Sequence, residues 1–349
     1  MFIAWRDLRF AKGRFALLGG VIALMTLMVV LLTGLTAGLG AASVSAVTAL
    51  PADHLAFQRP AEGQDIAFAT SALPATAVAE LAGRPGVESA HGLGVSTGRL
   101  DIGGGTAAVT LIGTDPSLYP EREDGTSPGP GEAAVTADLA EAHDLAPGAR
   151  LSLGGRNITV TEIVAETSFN HLPVVYLPLP TWQETTRTDG VTAVALTGDP
   201  GSTPQTLTVT REDAYAAVGG YSSEQGSLTL MRGLLLGVSV LIVGAFFTVW
   251  TMQRSQDLAV VRAIGGSRGY LLRDALGQAL AVLVIGSATG GAAAAGLGAL
   301  ASRAVPFVLD AQTVGVPVAA MVAVGLLGAA ACVRRTTTVD PLTALGAAR

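Results

Sequence analysis

The chain has 349 residues, of which 50% are hydrophobic and only 14% are charged, whereas ordinary soluble domains are about 25% charged. This composition excludes a purely soluble protein. The formal net charge is -6, but the acidic residues concentrate between positions 51 and 224, while basic residues flank the apolar runs. This separation of charge argues against nucleic acid as a partner.

Four apolar runs are long enough to cross a bilayer, which takes about 20 residues of helix. We predict transmembrane helices at 15–39, 228–252, 275–300 and 314–333. The first run ends in small residues, GAASVSA, as a secretory signal does, but its apolar part is longer than that of a signal. We therefore expect it to be retained. The single cysteine, Cys332, lies in the fourth run and is expected to be an apolar filler.

Lys and Arg near the ends of spans set the orientation of a membrane protein. They cluster in 1–14, in 253–274 and in 334–349, and four spans put these three segments on one side. We therefore predict a multi-pass protein of the cell membrane with both termini in the cytoplasm. The segment 1–14 is either an amphipathic helix along the inner surface or an ordinary basic flank.

The insertion 40–227 then lies outside the cytoplasm, as does the short loop 301–313. LPATAVAELAGRPGV predicts a short helix that ends at Gly83 and Pro85, and AAVTLIGTD, RLSLGG, NITVTEIVAE and VVYLPL predict β-strands. The glycine run 103–105 predicts a hairpin turn. The predicted fold class is an α-helical membrane protein with four transmembrane helices plus an α+β extracytoplasmic domain inserted between spans one and two.

The sequence has no P-loop, no nucleophile elbow and no Cys/His metal spacing, so we predict no catalytic residue, no metal and no covalently bound cofactor. Glu162 and Glu166 are expected to be solvated on a strand surface. The four histidines are far apart in the sequence and are expected to be structural or on the surface: His54, His91, His143 and His171.

Small residues in the spans predict close helix packing at two glycine pairs with GxxxG-like spacing. One pair is Gly34 and Gly38 in the first run, and the other is Gly286 and Gly290 in the third. The spans contain almost no ionisable groups, so a proton or ion pathway across the bilayer is not expected.

Several stretches resemble the FtsX-like permeases, the membrane subunits of ABC transporters related to the MacB type. RSQDLAVVRAIGGS resembles their cytoplasmic coupling element, VDPLTALG their closing motif, and GEAAVTADLAEAHDLAPGARLSLGGRNITVTEIV their external core domain. The resemblance covers nearly the whole chain. Asp257 and Gln278 stand where the family more often has glutamate.

The resemblance implies a permease subunit that is not itself an enzyme. ATP and Mg²⁺ would bind to a separate cytosolic ABC ATPase, and two permease copies, most simply a homodimer, would assemble with it in the lipid bilayer. A solvated basic connector is the alternative to a coupling helix at 253–274. The residues to which the resemblance assigns ATPase coupling are Arg254, Asp257, Arg262, Ala263, Gly265, Ser267 and Arg268.

A closer resemblance connects TGLTAGLG, AFFTVWTMQRSQDLAVVRAIG and PFVLDAQ with haem-exporter permeases of the HrtB type, although DevC-type exporters share the architecture. It implies haem efflux, with haem as a possible substrate. Haem needs an axial ligand and a cation for its propionates, and the candidates are Met25, Met28, Tyr221, Met231 and Arg232. The methionines also suit a packing role. Export of a lipid, peptide or lipoprotein, and signalling to a cell-wall hydrolase without transport, stay open as alternatives.

Overall fold

A computed structural model describes residues 12–102, 105–253, 267–302 and 305–337. The chain divides into two compact units. The helical unit combines Met1–Gly38 with Gly226–Arg349, and the domain unit is Leu39–Gln225.

The helices are α1 (Lys12–Thr48), α2 (Thr76–Ala82), α3 (Ala137–His143), α4 (Leu179–Thr186), α5 (Tyr221–Gln253), α6 (Arg268–Ala301) and α7 (Ala311–Thr337). The strands are β1 (His54–Gln58), β2 (Leu73–Pro74), β3 (Val87–Ile102), β4 (Gly105–Thr114), β5 (Arg122–Gly125), β6 (Glu132–Thr136), β7 (Arg150–Leu153), β8 (Arg156–Val164), β9 (Ser168–Phe169), β10 (Leu172–Pro178), β11 (Gly190–Val191), β12 (Ala193–Gly198) and β13 (Thr206–Thr210).

Within the described ranges, four helices are long and apolar enough to cross a membrane. The candidate spans are Phe15–Thr48 in α1, Tyr221–Phe246 in α5, Arg273–Ala301 in α6 and Ala311–Ala331 in α7. Two helices exceed the predicted spans: α1 continues to Thr48, past the predicted end at 39, and α5 begins at Tyr221, before the predicted start at 228.

Two further boundaries differ from the sequence-based ones. Helix α6 begins at Arg268, inside the predicted coupling segment 253–274, and α7 runs from Ala311 to Thr337, past the predicted end at 333. Residues 1–11, 254–266 and 338–349 lie outside the described residues. The amphipathic N-terminal segment, most of the coupling segment and the tail therefore stay predictions.

The domain unit is built on an 11-stranded sheet in the order β13-β1-β12-β3-β4-β10-β6-β8-β5, with β7 beside β3 and β8, and β9 beside β10. Strands β2 and β11 form a separate pair. The β4–β10 and β6–β8 pairs are parallel. Helix α2 and the strands predicted from sequence are present, and the fold class is confirmed as four apolar helices with an inserted α+β domain.

The long strand β3 joins the two halves of the sheet. Its first half pairs with β12 as far as Leu93, and its second half pairs with β4 from Gly94, which lies opposite Gly113. The indole of Trp182 in α4 covers this glycine pair, because a Cβ at either position would overlap the ring. Trp182 is buried, and its Nε1 donates a hydrogen bond to Ser96 Oγ at 3.0 Å.

A buried carboxylate corrects one sequence-based expectation. Glu162 is not solvated: only 3% of the residue is exposed, and its Oε1 accepts a hydrogen bond from Arg122 Nε at 2.6 Å. Glu166 follows β8 and is exposed, as expected. Burial, and secondarily the carboxylate of Glu162, raises the pKa of Tyr119 above the usual value. The sequence did not indicate this ion pair, because Arg122 is distant from Glu162 in the chain and the alternating pattern of β8 suggested that Glu162 faces solvent.

Replacing Gly113 by alanine forces a Cβ into the side chain of Trp182. We expect this overpacking to lower the free energy of unfolding of the domain by about 1–3 kcal/mol. Thermal denaturation of the solubilised full-length protein, followed by tryptophan fluorescence, measures the loss. Gly105→Ala is the matched control on the same strand, since the nearest atom to its added Cβ is Ile102 O at 3.7 Å. An equal loss in both variants would contradict the packing role.

Candidate functional site

The helical unit has a core that is formed by α1, α5, α6 and α7 together. Its buried side chains are Phe15, Leu18, Ile22, Val243, Ala279, Val282, Leu283 and Ala329. Because residues from all four helices meet in this cluster, they pack as one bundle rather than as separate spans.

The glycine pair of α6 lies against α1. A Cβ at Gly290 would overlap the backbone of Ala23, and one at Gly286 would lie 2.9 Å from Gly19 O. Ser287 lies between them in sequence, and its Oγ is within hydrogen-bond distance of Thr26 Oγ1, at 3.3 Å; both residues are fully buried. Small residues and one interhelical hydrogen bond thus bring α1 and α6 close together.

The glycine pair of α1 has a different kind of neighbour from the one predicted. The atoms nearest to an added Cβ on Gly34 belong to the ring of Phe307, and those nearest to one on Gly38 belong to Pro306 and Phe307. The same ring faces Gly298 of α6. Phe307 belongs to the non-helical segment 305–310, so Gly34 contacts an aromatic ring and Gly38 contacts the backbone of a loop, and neither contacts a second helix.

The loop is held at its other end by a cap on α7. Asp310 Oδ1 accepts hydrogen bonds from the backbone N–H groups of Thr313 and Gln312, at 2.7 and 2.8 Å. In return, Thr313 Oγ1 accepts one from the Asp310 N–H at 2.9 Å. The Thr313 N–H, with the other bonds, lowers the pKa of Asp310 because these bonds favour the ionised carboxylate.

Five of the predicted ATPase-coupling residues lie outside the described residues: Arg254, Asp257, Arg262, Ala263 and Gly265. The other two mark the start of α6. Ser267 is its N-cap, with Oγ accepting from the Tyr270 N–H at 3.2 Å, and Arg268 is the first helical residue.

Gln278, one of the departures from the family pattern, is buried in α6. Only 1% of the residue is exposed, and its Nε2 donates a hydrogen bond to Asp274 Oδ2 at 3.1 Å. An amide at this position can donate to the carboxylate one turn earlier, whereas an ionised glutamate would repel it.

The five haem candidates fall in both units. Met25 and Met28 lie on α1, and Met28 is 46% exposed. Met231 is 53% exposed on α5, where Arg232 Nη2 donates to Thr229 Oγ1 at 3.3 Å. These four residues belong to the helical unit, whereas Tyr221 belongs to the domain unit. An assembled haem site therefore stays a prediction.

A hairpin in the domain unit forms a polar cluster that the sequence did not single out. The turn between β9 and β10 contacts the last turns of α1: the N–H groups of Asn170 and His171 donate to Ser43 O and Ala42 O at 2.9 and 3.0 Å. His171 Nε2 also lies 3.0 Å from Ser43 Oγ and 3.3 Å from Glu224 Oε2. The three side chains are far apart in sequence, which is why no local motif indicated them.

Comparison with known families identifies this architecture. Residues 15–209, more than half of the chain, match the MacB-like periplasmic core domain, and residues 230–341 match the FtsX-like permease C-terminal model. The chain therefore belongs to the FtsX-like, MacB-type permeases of ABC transporters. The resemblance seen in the sequence is confirmed, and the protein is a membrane-spanning permease subunit.

Curated relatives align over almost their whole length. A putative hemin transport system permease protein HrtB of Staphylococcus epidermidis is 22% identical over 353 residues, which cover 99% of both chains. An uncharacterized ABC transporter permease of Mycobacterium tuberculosis is 28% identical over 358 residues, again with 99% coverage of both. The names of these relatives are those of permeases, not of ATPases.

A solved structure, the periplasmic region of MacB from Actinobacillus actinomycetemcomitans, is 10% identical with a TM-score of 0.37, and the match covers 49% of this chain and 95% of that one.

Replacing Gly290 by valine places a branched side chain where α1 and α6 meet at the backbone of Ala23. We expect a loss of about 1–3 kcal/mol in stability, seen as a smaller fraction of monodisperse protein after heating in detergent. Gly296→Val on the same helix is the control, because its added Cβ meets nothing within 4 Å. Survival of Gly290→Val at the level of this control would contradict the close α1–α6 contact.

Proposed function

We propose that this permease is the membrane subunit of an ATP-driven exporter and that its cargo is haem. The observation that carries the proposal is the alignment with permeases named for hemin transport along 99% of both chains. The alignment covers the spans and the domain together, which supports an exporter of the same architecture with haem as its cargo.

Energy for export has to come from a second protein. The chain has no phosphate-binding G-x-x-x-x-G-K-[ST] loop, so ATP and Mg²⁺ would bind to a cytosolic ABC ATPase. Two copies of the permease would dock on an ATPase dimer, with both termini and the segment 253–274 on the cytoplasmic side. Closure of the ATPase would push this segment, and the packed helices would pass the movement to the external domain.

Reversing the charge at Arg262 tests the docking surface. We expect Arg262→Glu to abolish co-purification with the ATPase and to remove ATP turnover that depends on the permease, because a basic contact becomes repulsive. Pull-down and ATPase assays on the reconstituted complex measure both. Arg150→Glu, at an exposed position of the domain unit, controls for the change in net charge. Unchanged stoichiometry and ATP turnover would show that 253–274 is only a solvated connector.

Haem as the cargo requires ligands at an apolar site. Thioether sulfur and phenolate oxygen are known axial ligands of haem iron, and a cation suits the propionates. Met28 and Met231 are large, exposed and apolar on their helices, and Arg232 follows Met231 directly. These properties support Met25, Met28, Tyr221, Met231 and Arg232 as the candidate set.

Haem titration of the purified permease tests this set. We expect the Soret band of bound haem to shift or weaken in Met28→Ala, Met231→Ala and Tyr221→Phe, because each change removes a possible ligand of the iron. Met252→Ala is the control, since Met252 is also exposed on α5 but lies at the other end of the helix. A Soret band unaltered in all three variants would exclude these ligands.

The cargo itself is tested in cells. A strain that lacks the permease should become sensitive to haem. A cell-chaining or division defect with normal haem tolerance would instead favour signalling to a cell-wall hydrolase. If the strain shows neither haem sensitivity nor a division defect, export of a lipid, peptide or lipoprotein is favoured.

A further inference from the structure

The segment 305–310 places one aromatic ring against two helices of the bundle. The two atoms nearest to a Cβ built on Gly34 of α1 are Cζ and Cε1 of Phe307, and the same two atoms are nearest to a Cβ built on Gly298 of α6. At both glycines the added Cβ would lie closer to the ring than real side chains allow. Both helices therefore present bare backbone to the same edge of the ring, and only glycine at the two positions leaves room for it.

The backbone of the same segment is bonded to α1. The N–H of Val308 donates a hydrogen bond to Gly34 O at 3.1 Å. One turn later in α1, a Cβ on Gly38 would overlap the carbonyl group of Pro306. Helix α1 does not need the Val308 bond, because Gly34 lies inside the helix and its carbonyl also faces the N–H four residues later. This bond can therefore break without unwinding α1.

The other end of the segment belongs to the start of α7. The reciprocal bonds of Asp310 and Thr313 form a capping box, which holds the first turn of this helix together. Pro317 follows inside α7 and has no N–H, so the helix lacks the hydrogen bond to the carbonyl of Thr313. Beyond the proline, α7 packs against α6, where a Cβ on Gly291 would lie 2.8 Å from Val318 Cγ2. Pro317 is therefore the point at which the capped turn can bend away from the rest of α7.

Helices α1 and α6 are joined in two different ways along their length. Earlier in both helices the contact is direct, since a Cβ on Gly290 would overlap the backbone of Ala23. At Gly34 and Gly298 the same two helices are joined through the ring of Phe307, which a loop supplies. The direct contact is fixed by the helices themselves, whereas the second contact exists only while the loop is in place.

We propose that the segment 305–310 is a latch, with Phe307 as its positioning residue, which joins α1 to α6 and opens during the ATPase cycle. In the closed latch the ring contacts both helices and Val308 is bonded to α1. In the open latch the loop bends away at Pro317, and α1 moves relative to α6 as a rigid helix. The opening rests on the proposed function, whereas the closed form does not. The latch acts within the helical unit and is separate from the hairpin contacts in the domain unit.

The latch is weak enough to open in a working cycle. Closing it forms one ring contact and one backbone hydrogen bond, and Phe307 is only half-buried. Its neighbours Val305 and Leu309 are 43% and 41% exposed, so the segment is not part of the buried core of the bundle. Contacts of this size open locally without unfolding of the helices that they join.

Hydrogen–deuterium exchange at the Val308 amide tests the closed latch in the full-length permease in lipid nanodiscs, without ATPase or cargo. We expect this amide to exchange about tenfold faster in Phe307→Ala, because the ring no longer holds the loop. Gly34→Ala displaces the ring but keeps Phe307, and should give the same result. The controls are Leu309→Ala in the loop and Gly20→Ala on α1, where the added Cβ meets nothing within 4 Å. Exchange in Phe307→Ala that equals exchange in Leu309→Ala would overturn the closed latch.

The opening is measured in the complex with the ATPase, with and without a non-hydrolysable ATP analogue. We expect the Val308 amide to exchange about tenfold faster with the analogue bound, whereas the amide of Gly290, at the direct contact of α1 and α6, stays protected. Phe307→Leu keeps an apolar side chain in the loop but is too short to reach both helices. It should raise ATP turnover that depends on the permease about two- to fivefold, because the closed state loses stability. Val308 protection that is equal with and without the analogue would show that Phe307 only fills space, and would overturn the latch.

Failure of the latch and failure of the proposed function give different results. Exchange at Val308 that responds to the ATP analogue, in a complex that exports no haem, would overturn the cargo and support the latch. Haem export by a parent protein whose Val308 amide is equally protected in both nucleotide states would overturn the latch and leave the cargo in place.

Discussion

A transmembrane helix satisfies its backbone hydrogen bonds internally, so it can continue beyond the membrane surface without losing them. Helix α1 has 37 residues and α5 has 33, which at about 1.5 Å per residue is well beyond the roughly 30 Å of a bilayer core. The part of α1 that exceeds this length packs in the domain unit. Val44 and Val47 belong to its main hydrophobic cluster, together with Phe57, Phe169 and Tyr176 of the sheet. The end of α1 is thus part of the hydrophobic core of the domain.

This arrangement explains why the hairpin of β9 and β10 matters. Phe169 packs edge-on against Phe68, which in turn packs edge-on against Phe57, at centroid distances of 5.2 and 4.9 Å. One side of the hairpin is therefore fixed in the aromatic core, while the turn beside it hydrogen-bonds to α1. A displacement of α1 within the domain unit has to break these bonds or move the aromatic cluster with it.

The sequence predicted the elements that have a local pattern of apolar residues. Long apolar runs located the spans, and alternating strands such as 157–166 located part of the sheet. The strands β1, β12 and β13 were not predicted, and the long β3 contains glycine and polar residues, as in VESAHGLG, whose pairing is decided by distant partners. The first span was predicted at 15–39 from the length of its apolar run, and helix α1 continues to Thr48 because alanine favours helix and because Val44 and Val47 pack in the main hydrophobic cluster of the domain unit.

In the candidate site, too, local spacing predicted some features and only the fold showed the others. GxxxG spacing indicated that something approaches Gly34, Gly38, Gly286 and Gly290 closely, but only the fold distinguishes the helix at one pair from Phe307 at the other. Within the helical unit, the hydroxyls of Thr33 and Thr36 bond to the carbonyl four residues earlier in α1, whereas Thr26 is also hydrogen-bonded to Ser287 of α6. Polar groups bonded within their own helix do not resist its movement as a rigid body. The long-range polar contacts of the hairpin do, and a movement carried by α1 would therefore be controlled at the hairpin.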